Sequence, residues 1–222
     1  MRLLSPEHDI VLVQRCLLAD SLVVLANCWA LTELWVTEKR SAVYWRSAFG
    51  HYRAVFQAYT KILALDDCRV AAAAYGCARC LRELGKVSEA LQVLSPVAKA
   101  LSHSHAPPTR TQRQTLNFLP LPVVTELEGV DRRMQAAQCQ WLLAVLTAEH
   151  QPDDDGRTKA LKCLHKASIA LRHILDSRVA DDPRRTECIR LLQQVEEEAR
   201  RIFHPLRRAA ASTQPHRSDR RA

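Results

Sequence analysis

The chain has 222 residues, of which 47% are apolar and 5% aromatic, and this composition excludes a wholly disordered protein. Glycine is scarce and the helix formers Ala, Leu, Arg, Gln and Glu are abundant, so that composition predicts an all-α protein. The net charge of +8 comes largely from arginines near the end, which leaves the folded part only mildly basic and weakens any general case for nucleic-acid binding.

The first predicted helix covers the apolar stretch at residues 10–36, after a suitable helix start at Pro6 and Asp9. A signal peptide needs a basic start and an uncharged core, which this stretch lacks. Polar and charged residues interrupt every window long enough to span a membrane: Arg15, Asp20, Asn27 and Glu33. We therefore expect no membrane partner and a helix that is buried on most of its faces.

A break near Thr37–Ser41 and the glycine at Gly50 predict two shorter helical segments in the next region. The second segment places Val55, Tyr59 and Ile62 at spacings of four and three on one helical face. Gly50 also precedes Gly85 by 35 residues, a spacing that indicates an internal repeat.

Residues 70–100 predict two amphipathic helices joined by a tight turn at Gly85. Small residues at helical spacing precede a large one in the first helix, and small and large residues alternate in the second: Ala74, Ala78 and Leu81, then Ala90, Leu94 and Val97. Small residues allow two helix backbones to approach closely while the larger ones fill the space between them.

This order of residues resembles the helix–turn–helix unit of the tetratricopeptide repeat (TPR) superfamily. The resemblance covers roughly residues 40–176 and is strongest in residues 70–100. It implies an all-α fold built as a right-handed stack of antiparallel helical hairpins (a TPR-like solenoid). Such proteins bind other proteins and have no chemistry of their own.

A third unit follows a Pro-rich loop insert at about 102–123. Its first helix ends near His150, and Asp154 and Asp155 mark the start of its second helix. One stripe of that helix repeats the small–large–small order: Ala160, Leu164, Ala167, Leu171 and Ile174.

A terminal amphipathic helix then caps the stack, so that residues 1–203 are predicted to form one helical domain. Its apolar positions step by four and three: Cys188, Leu192, Val195, Ala199 and Ile202. Residues 204–222 are predicted to be a basic, disordered tail.

In the TPR superfamily, the first helix of each unit lines a concave groove that receives a segment of a partner protein. The resemblance therefore implies a set of partner-binding residues: Arg40, Tyr44, Tyr75, Arg79 and Arg82. Guanidinium and phenol groups in such a groove would favour acidic or carboxylate-bearing segments. The alternative is that Arg79 and Arg82 are ordinary solvated residues.

Cys77-x-x-Cys80 is the one motif with a chemical alternative, as a redox pair or as part of a metal site with His103 and His105. Its position within a predicted helix favours core packing. Phosphate-binding loops and the common nucleophile and zinc-protease motifs are absent from the sequence. We expect no enzyme activity, no cofactor and no metal, and the eight cysteines without framework spacing predict a reduced protein of the cytoplasm or nucleus.

The sequence thus predicts a non-catalytic scaffold or adaptor that is a subunit of a larger complex. An alternative is a nucleic-acid-associated helical protein that uses arginines of the tail: Arg207, Arg208, Arg217, Arg220 and Arg221. The same arginines are also compatible with a nuclear import signal or with a merely solvated tail.

Overall fold

The computed structural model describes residues 9–30, 36–103, 125–176 and 184–212, and these residues form seven α-helices and no strand. The all-helical prediction is therefore confirmed for the described part of the chain. In chain order the helices are α1 (Asp9–Ala30), α2 (Val36–Ile62), α3 (Cys68–Glu83), α4 (Val87–His103), α5 (Thr125–His150), α6 (Asp154–Asp176) and α7 (Arg184–Ser212).

The helices pack in the order in which they follow one another along the chain. In addition, α5 contacts both α3 and α7, so that these three helices form one row. Helix α4 lies against α3 and α5, and α6 lies against α5 and α7. Each helix therefore buries its apolar stripe against sequence neighbours, which is how a helix with one apolar face becomes stable.

The hairpin of α3 and α4 matches its prediction. All six small and large residues that define its pattern are buried, and they belong to one core cluster. Gly85 has a φ of +73°, a conformation that glycine adopts without strain. The amide of Gly85 donates to the Arg82 carbonyl at 2.9 Å and that of Lys86 to the Leu81 carbonyl at 2.8 Å, which closes the end of α3 as a Schellman turn.

The hairpin of α5 and α6 is also present, with its turn at residues 151–153. Asp153, one residue before the predicted start, caps α6: its carboxylate accepts a hydrogen bond from the Gly156 amide at 2.7 Å. The backbone of Gln151 lies against Gly156, where a side chain would collide with it. The five residues of the predicted α6 stripe are all buried.

The predicted division of α2 is wrong. Helix α2 is continuous from Val36 to Ile62, and both Thr37–Ser41 and Gly50 lie within it. One buried stripe continues past the glycine at helical spacing: Trp45, Ala48, Tyr52, Val55 and Tyr59. Ile62, which was predicted on the same face, ends the helix and is 65% exposed. Burial of this stripe outweighs the cost of about 1 kcal/mol that one glycine imposes on a helix. The spacing from Gly50 to Gly85 is therefore no repeat period, and α2 forms a hairpin with α1.

Helix α1 buries only one face, against α2, through Leu12, Ala19, Val23 and Ala26. Several large apolar side chains on its other faces are exposed, so the expectation of a helix buried on most of its faces is wrong. Periodicity predicted a helix here, but α1 ends at Ala30 and the predicted last residue, Val36, begins α2. Periodicity also could not show how many neighbours would cover the helix. In the described part of the chain, no helix is long and apolar enough to cross a membrane.

Helix α7 packs on α6 through the predicted stripe, with Leu191 buried in addition. It does not end near 204 but runs through Pro205 to Ser212, so the predicted disordered tail overlaps a helix. The residues that follow Pro205 are strong helix formers, which favours this continuation. Residues 213–222 and most of the Pro-rich insert, 104–123, lie outside the described residues, whereas Ser102 and His103 belong to α4.

Candidate protein-binding surface

Three of the predicted partner-binding residues lie along α3: Tyr75, Arg79 and Arg82. We call them the α3 surface. The other sides of α3 are buried against α2, α4 and α5, and these three side chains remain partly accessible. Tyr75 packs against the core cluster that α3 shares with α4 and α5.

The hydroxyl of Tyr75 has a raised pKa, chiefly because the side chain is mostly withdrawn from water. The charge of Arg79 acts in the opposite direction. Glu187 and Arg190 of α7 also act on this phenol. Tyr75 is therefore an uncharged hydrogen-bonding group within electrostatic reach of α7.

Arg82 binds a carboxylate within the chain. Its Nε and Nη2 donate to Glu149 Oε1 at 2.9 and 2.6 Å, and Nε also approaches Oε2 at 3.2 Å. Glu149 lies at the end of α5, and the two side chains are 30% and 36% exposed. The hydrogen bond to the Glu149 carboxylate is the largest cause of the raised pKa of Arg82. The pair is thus a charge-assisted ion pair at the edge of the protein.

The guanidinium carbon of Arg79 lies 5.8 Å from the centre of the Trp45 ring. Trp45 is a buried residue of α2, so this cation–π contact joins α3 to α2. Tyr44 packs against the cluster of α1, α2 and α3 that contains Trp45, whereas Tyr75 packs against a different cluster. Arg40 lies in α2, but its side chain is outside the described part of the structure. The structure therefore places Tyr75, Arg79 and Arg82 along one helix, and Tyr44 packs on the cluster that includes Trp45, the residue that Arg79 contacts.

Helix α5, which lies between α3 and α7, carries polar atoms that the sequence did not single out. The side-chain oxygen of Gln135 and the ring nitrogen of Trp141 are buried and have no hydrogen-bond partner in the described structure. Such atoms cost about 1–3 kcal/mol each when they stay unpaired. Only the fold reveals them, because the sequence shows Trp141 as one more apolar position of a helix.

Cys77 and Cys80 are core residues beside Tyr52. Burial raises the pKa of the Cys77 thiol and raises that of Cys80 to about 12. Both thiols are thus protonated at neutral pH, which is the reverse of an activated redox cysteine. The eight cysteines all lie in the described residues, and none of them forms a disulfide bond there. Among the described residues, no group of three or more His, Cys, Asp or Glu side chains has the arrangement of a metal site.

The arginines of the predicted tail are only partly covered by the structure. Arg207 and Arg208 belong to α7, but their side chains are outside the described part, as are Arg217, Arg220 and Arg221 entirely. Nothing in the described residues favours or opposes nucleic-acid binding by this tail, which stays a prediction.

Comparison with known proteins identifies no relative. No protein-family model, no curated protein and no solved structure matches the chain. The TPR resemblance thus rests on the residues and the packing of this chain alone.

Proposed function

We propose that this chain is a non-catalytic interaction scaffold, built as a TPR-like stack of helical hairpins, that binds a carboxylate-bearing segment of a partner protein along the α3 surface. In this role it is a subunit of a larger complex. The observation that carries the proposal is the bound carboxylate of Glu149 on Arg82, beside Arg79 and Tyr75.

The packing order supports the hairpin stack. Helices α1 and α2, α3 and α4, and α5 and α6 form three successive hairpins, and α7 follows as a single terminal helix. Every second helix from α3 onward belongs to the row of α3, α5 and α7. A stack of hairpins has this arrangement, and it leaves one side of the row free for a partner.

The chemistry of the α3 surface supports the kind of partner. Glu149 is a carboxylate on an exposed edge, and Arg82 Nε and Nη2 donate to its two oxygens, Oε2 and Oε1, as arginine does when it pairs with a carboxylate. A carboxylate of a partner can exchange with Glu149 at little cost, because a surface ion pair contributes only about 0–1 kcal/mol. Arg79 adds a second guanidinium, and Tyr75 adds a neutral hydroxyl.

The experiment that tests the proposal uses a fluorescein-labelled hexaglutamate peptide as a probe and fluorescence anisotropy as the readout. We expect the variant Glu149→Gln, which removes this carboxylate but leaves Glu83 Oε1 3.8 Å from Arg82 Nη1, to bind the probe more tightly, by up to about fivefold. We expect the double variant Arg79→Gln, Arg82→Gln to lose most of the binding. Affinity capture from cell extract with the same proteins then identifies the natural partner.

A matched control removes the same amount of charge from another surface. Lys162 and Lys166 are exposed on α6, and Lys162→Gln, Lys166→Gln should leave both probe binding and capture unchanged. Circular dichroism shows whether each variant is folded. A partner that the folded α3 double variant still captures at wild-type level would contradict the proposed site.

A further inference from the structure

The outward side of α1 is an apolar surface that nothing in the described structure covers. Six large apolar side chains on it are between 44% and 61% exposed: Ile10, Val13, Leu17, Leu18, Val24 and Leu25. Together with the exposed polar residues Gln14 and Ser21 between them, they define the α1 outer face. Side chains of this size, about half exposed, leave on the order of 600 Å² of apolar area in water, the upper end for a monomer.

No charged side chain of the described residues lies in the middle of this face. Arg15 and Asp20 are at its two edges, and the carboxylate of Asp20 accepts a hydrogen bond from the hydroxyl of Tyr52 on α2. The face is thus suited to another apolar surface and offers no charge by which a charged partner would be selected.

Part of the α1 sequence repeats in reverse about the point between Leu17 and Leu18. Four pairs at equal distances on the two sides are alike in chemical type: Ile10 and Leu25, Val11 and Val24, Val13 and Leu22, Gln14 and Ser21. Arg15 and Asp20, also at equal distances, have opposite charges, and Asp9 and Ala26 differ. A second copy of α1 that packs antiparallel about this point brings each residue level with its counterpart. Isologous pairing needs a surface that is complementary to itself in this way.

The polar residues within the α1 outer face favour a second copy of the chain over an unrelated apolar partner. An unrelated apolar partner would bury the Gln14 amide without a hydrogen-bond partner, at about 1–3 kcal/mol. In the antiparallel pair, Gln14 of each copy is level with Ser21 of the other. The Ser21 hydroxyl donates to the Leu17 carbonyl at 2.9 Å, so that its oxygen stays able to accept from the Gln14 amide.

We infer that two copies of this chain associate through their α1 outer faces as an antiparallel, two-fold symmetric dimer. The apolar area of the two faces sums to about 1,200 Å², which exceeds the roughly 1,000 Å² that a specific interface requires. The inference is independent of the α3 surface, and either can fail without the other.

Sedimentation velocity of the full chain in reducing buffer at micromolar concentration is the first test. We expect a dimer, and we expect the double variant Leu17→Glu, Val24→Glu to weaken it about a hundredfold or more, because the interface would then bury four carboxylates. Both side chains are exposed, so the substitutions should leave the monomer folded. The matched controls are Ile169→Glu on α6 and Phe203→Glu on α7, each 53% exposed in the wild type, and they should stay dimeric.

Disulfide cross-linking then tests the orientation, in a Cys28→Ser background that removes an exposed native thiol. Leu17→Cys lies beside the two-fold axis and should form a cross-linked dimer under mild oxidation. Ile10→Cys should not, because the two copies of residue 10 would be about 22 Å apart at 1.5 Å per residue. A monomeric wild type, a dimer that tolerates Leu17→Glu, Val24→Glu, or a cross-link at residue 10 would each overturn the inference.

Discussion

The two terminal helices of the protein bury similar faces and expose different ones. Both α1 and α7 contribute one apolar stripe to the core. The outer side of α7 carries ion pairs, such as Arg190 with Glu187 at 3.1 Å and Arg200 with Glu196 at 3.8 Å. The outer side of α1 carries exposed leucines and valines instead.

This difference shows which end of the stack is stable when it is exposed to water. A terminal helix with a charged outer face needs no further neighbour, and this is the usual cap of a helical stack. A terminal helix with an apolar outer face is stabilised when protein covers it. The comparison predicts that the α1 end is the end through which this protein assembles.

The largest expected effect is on the α1 end at high pH. Cys77 and Cys80 lie beneath α1 and α2, and burial raises the pKa of both thiols above the ordinary value of 9.0. Above that pH the unfolded chain loses protons that the folded chain keeps, so the free energy of unfolding falls, on the order of 3 kcal/mol for two thiols at pH 10. Below pH 9 their contribution is fully present.

Urea titrations at pH 8 and pH 10 measure this effect. The variant Cys77→Ala, Cys80→Ala is expected to show a difference between the two pH values that is smaller by about 3 kcal/mol, and the thiols of Cys16 and Cys139, whose pKa values are also raised, account for part of the remainder. Cys28→Ala is the matched control, because Cys28 is an exposed cysteine. An equal loss of stability between pH 8 and pH 10 in all three proteins would show that groups other than Cys77 and Cys80 cause it.

An intermediate effect concerns the contact that joins the α1–α2 hairpin to α3. A Cβ atom at Gly76 would lie 2.6 Å from two ring atoms of Tyr52. Tyr52 is buried and hydrogen-bonded to Asp20, so its ring has little room to move. We expect Gly76→Ala to destabilise the protein by about 1–3 kcal/mol in urea unfolding.

Gly50→Ala is the matched control for this substitution. Gly50 is also inside a helix, but a Cβ atom there has no neighbour within 4 Å. The change should therefore stabilise the protein by about 0.5–1 kcal/mol through helix propensity. Two effects of the same sign would contradict the tight contact between α2 and α3.

The smallest effect is expected at the α7 end. Glu196 contacts Arg172 of α6 at 3.5 Å and Arg200 at 3.8 Å, on an exposed surface. Glu196→Gln should cost about 0.5 kcal/mol at low ionic strength and less in molar salt. Thermal melts at the two salt concentrations measure the change. A cost above about 2 kcal/mol would show that Glu196 does more than form weak, solvent-exposed ion pairs.

The parts of the fold that the sequence predicted correctly depend on local spacing. The turn at Gly85 and the stripe that includes Ala160 and Leu164 follow from residues within two turns of one another, which the helical period describes. The prediction failed at Gly50 because a single glycine was taken as the end of a helix. The apolar stripe from Trp45 to Tyr59, which continues on both sides of Gly50, was not taken into account. It failed at Pro205 for the same reason, since the residues that follow favour a helix.

The candidate site was predictable only in part. The spacing of Tyr75, Arg79 and Arg82 placed them on one side of a helix, and the structure has them there. The partner of Arg82 was not predictable, because Glu149 is 67 residues away and meets it only when α3 and α5 pack. The exposure of α1 was also not predictable, because the spacing of apolar residues identifies an apolar helix face but does not show whether another helix covers it.

Side-chain contacts across the connection at residues 104–124 have a consequence for how the chain is held together. The Gln140 side-chain nitrogen donates to the Ala98 carbonyl at 3.1 Å and to the Ser102 hydroxyl at 2.7 Å, and Arg132 pairs with Asp66. Together with the bond from Arg82 to Glu149, these contacts join the two parts of the chain that flank the connection. A cut within residues 104–124, or an insertion there, would leave all of these contacts in place. We expect the two fragments of a cut chain to bind each other noncovalently through them.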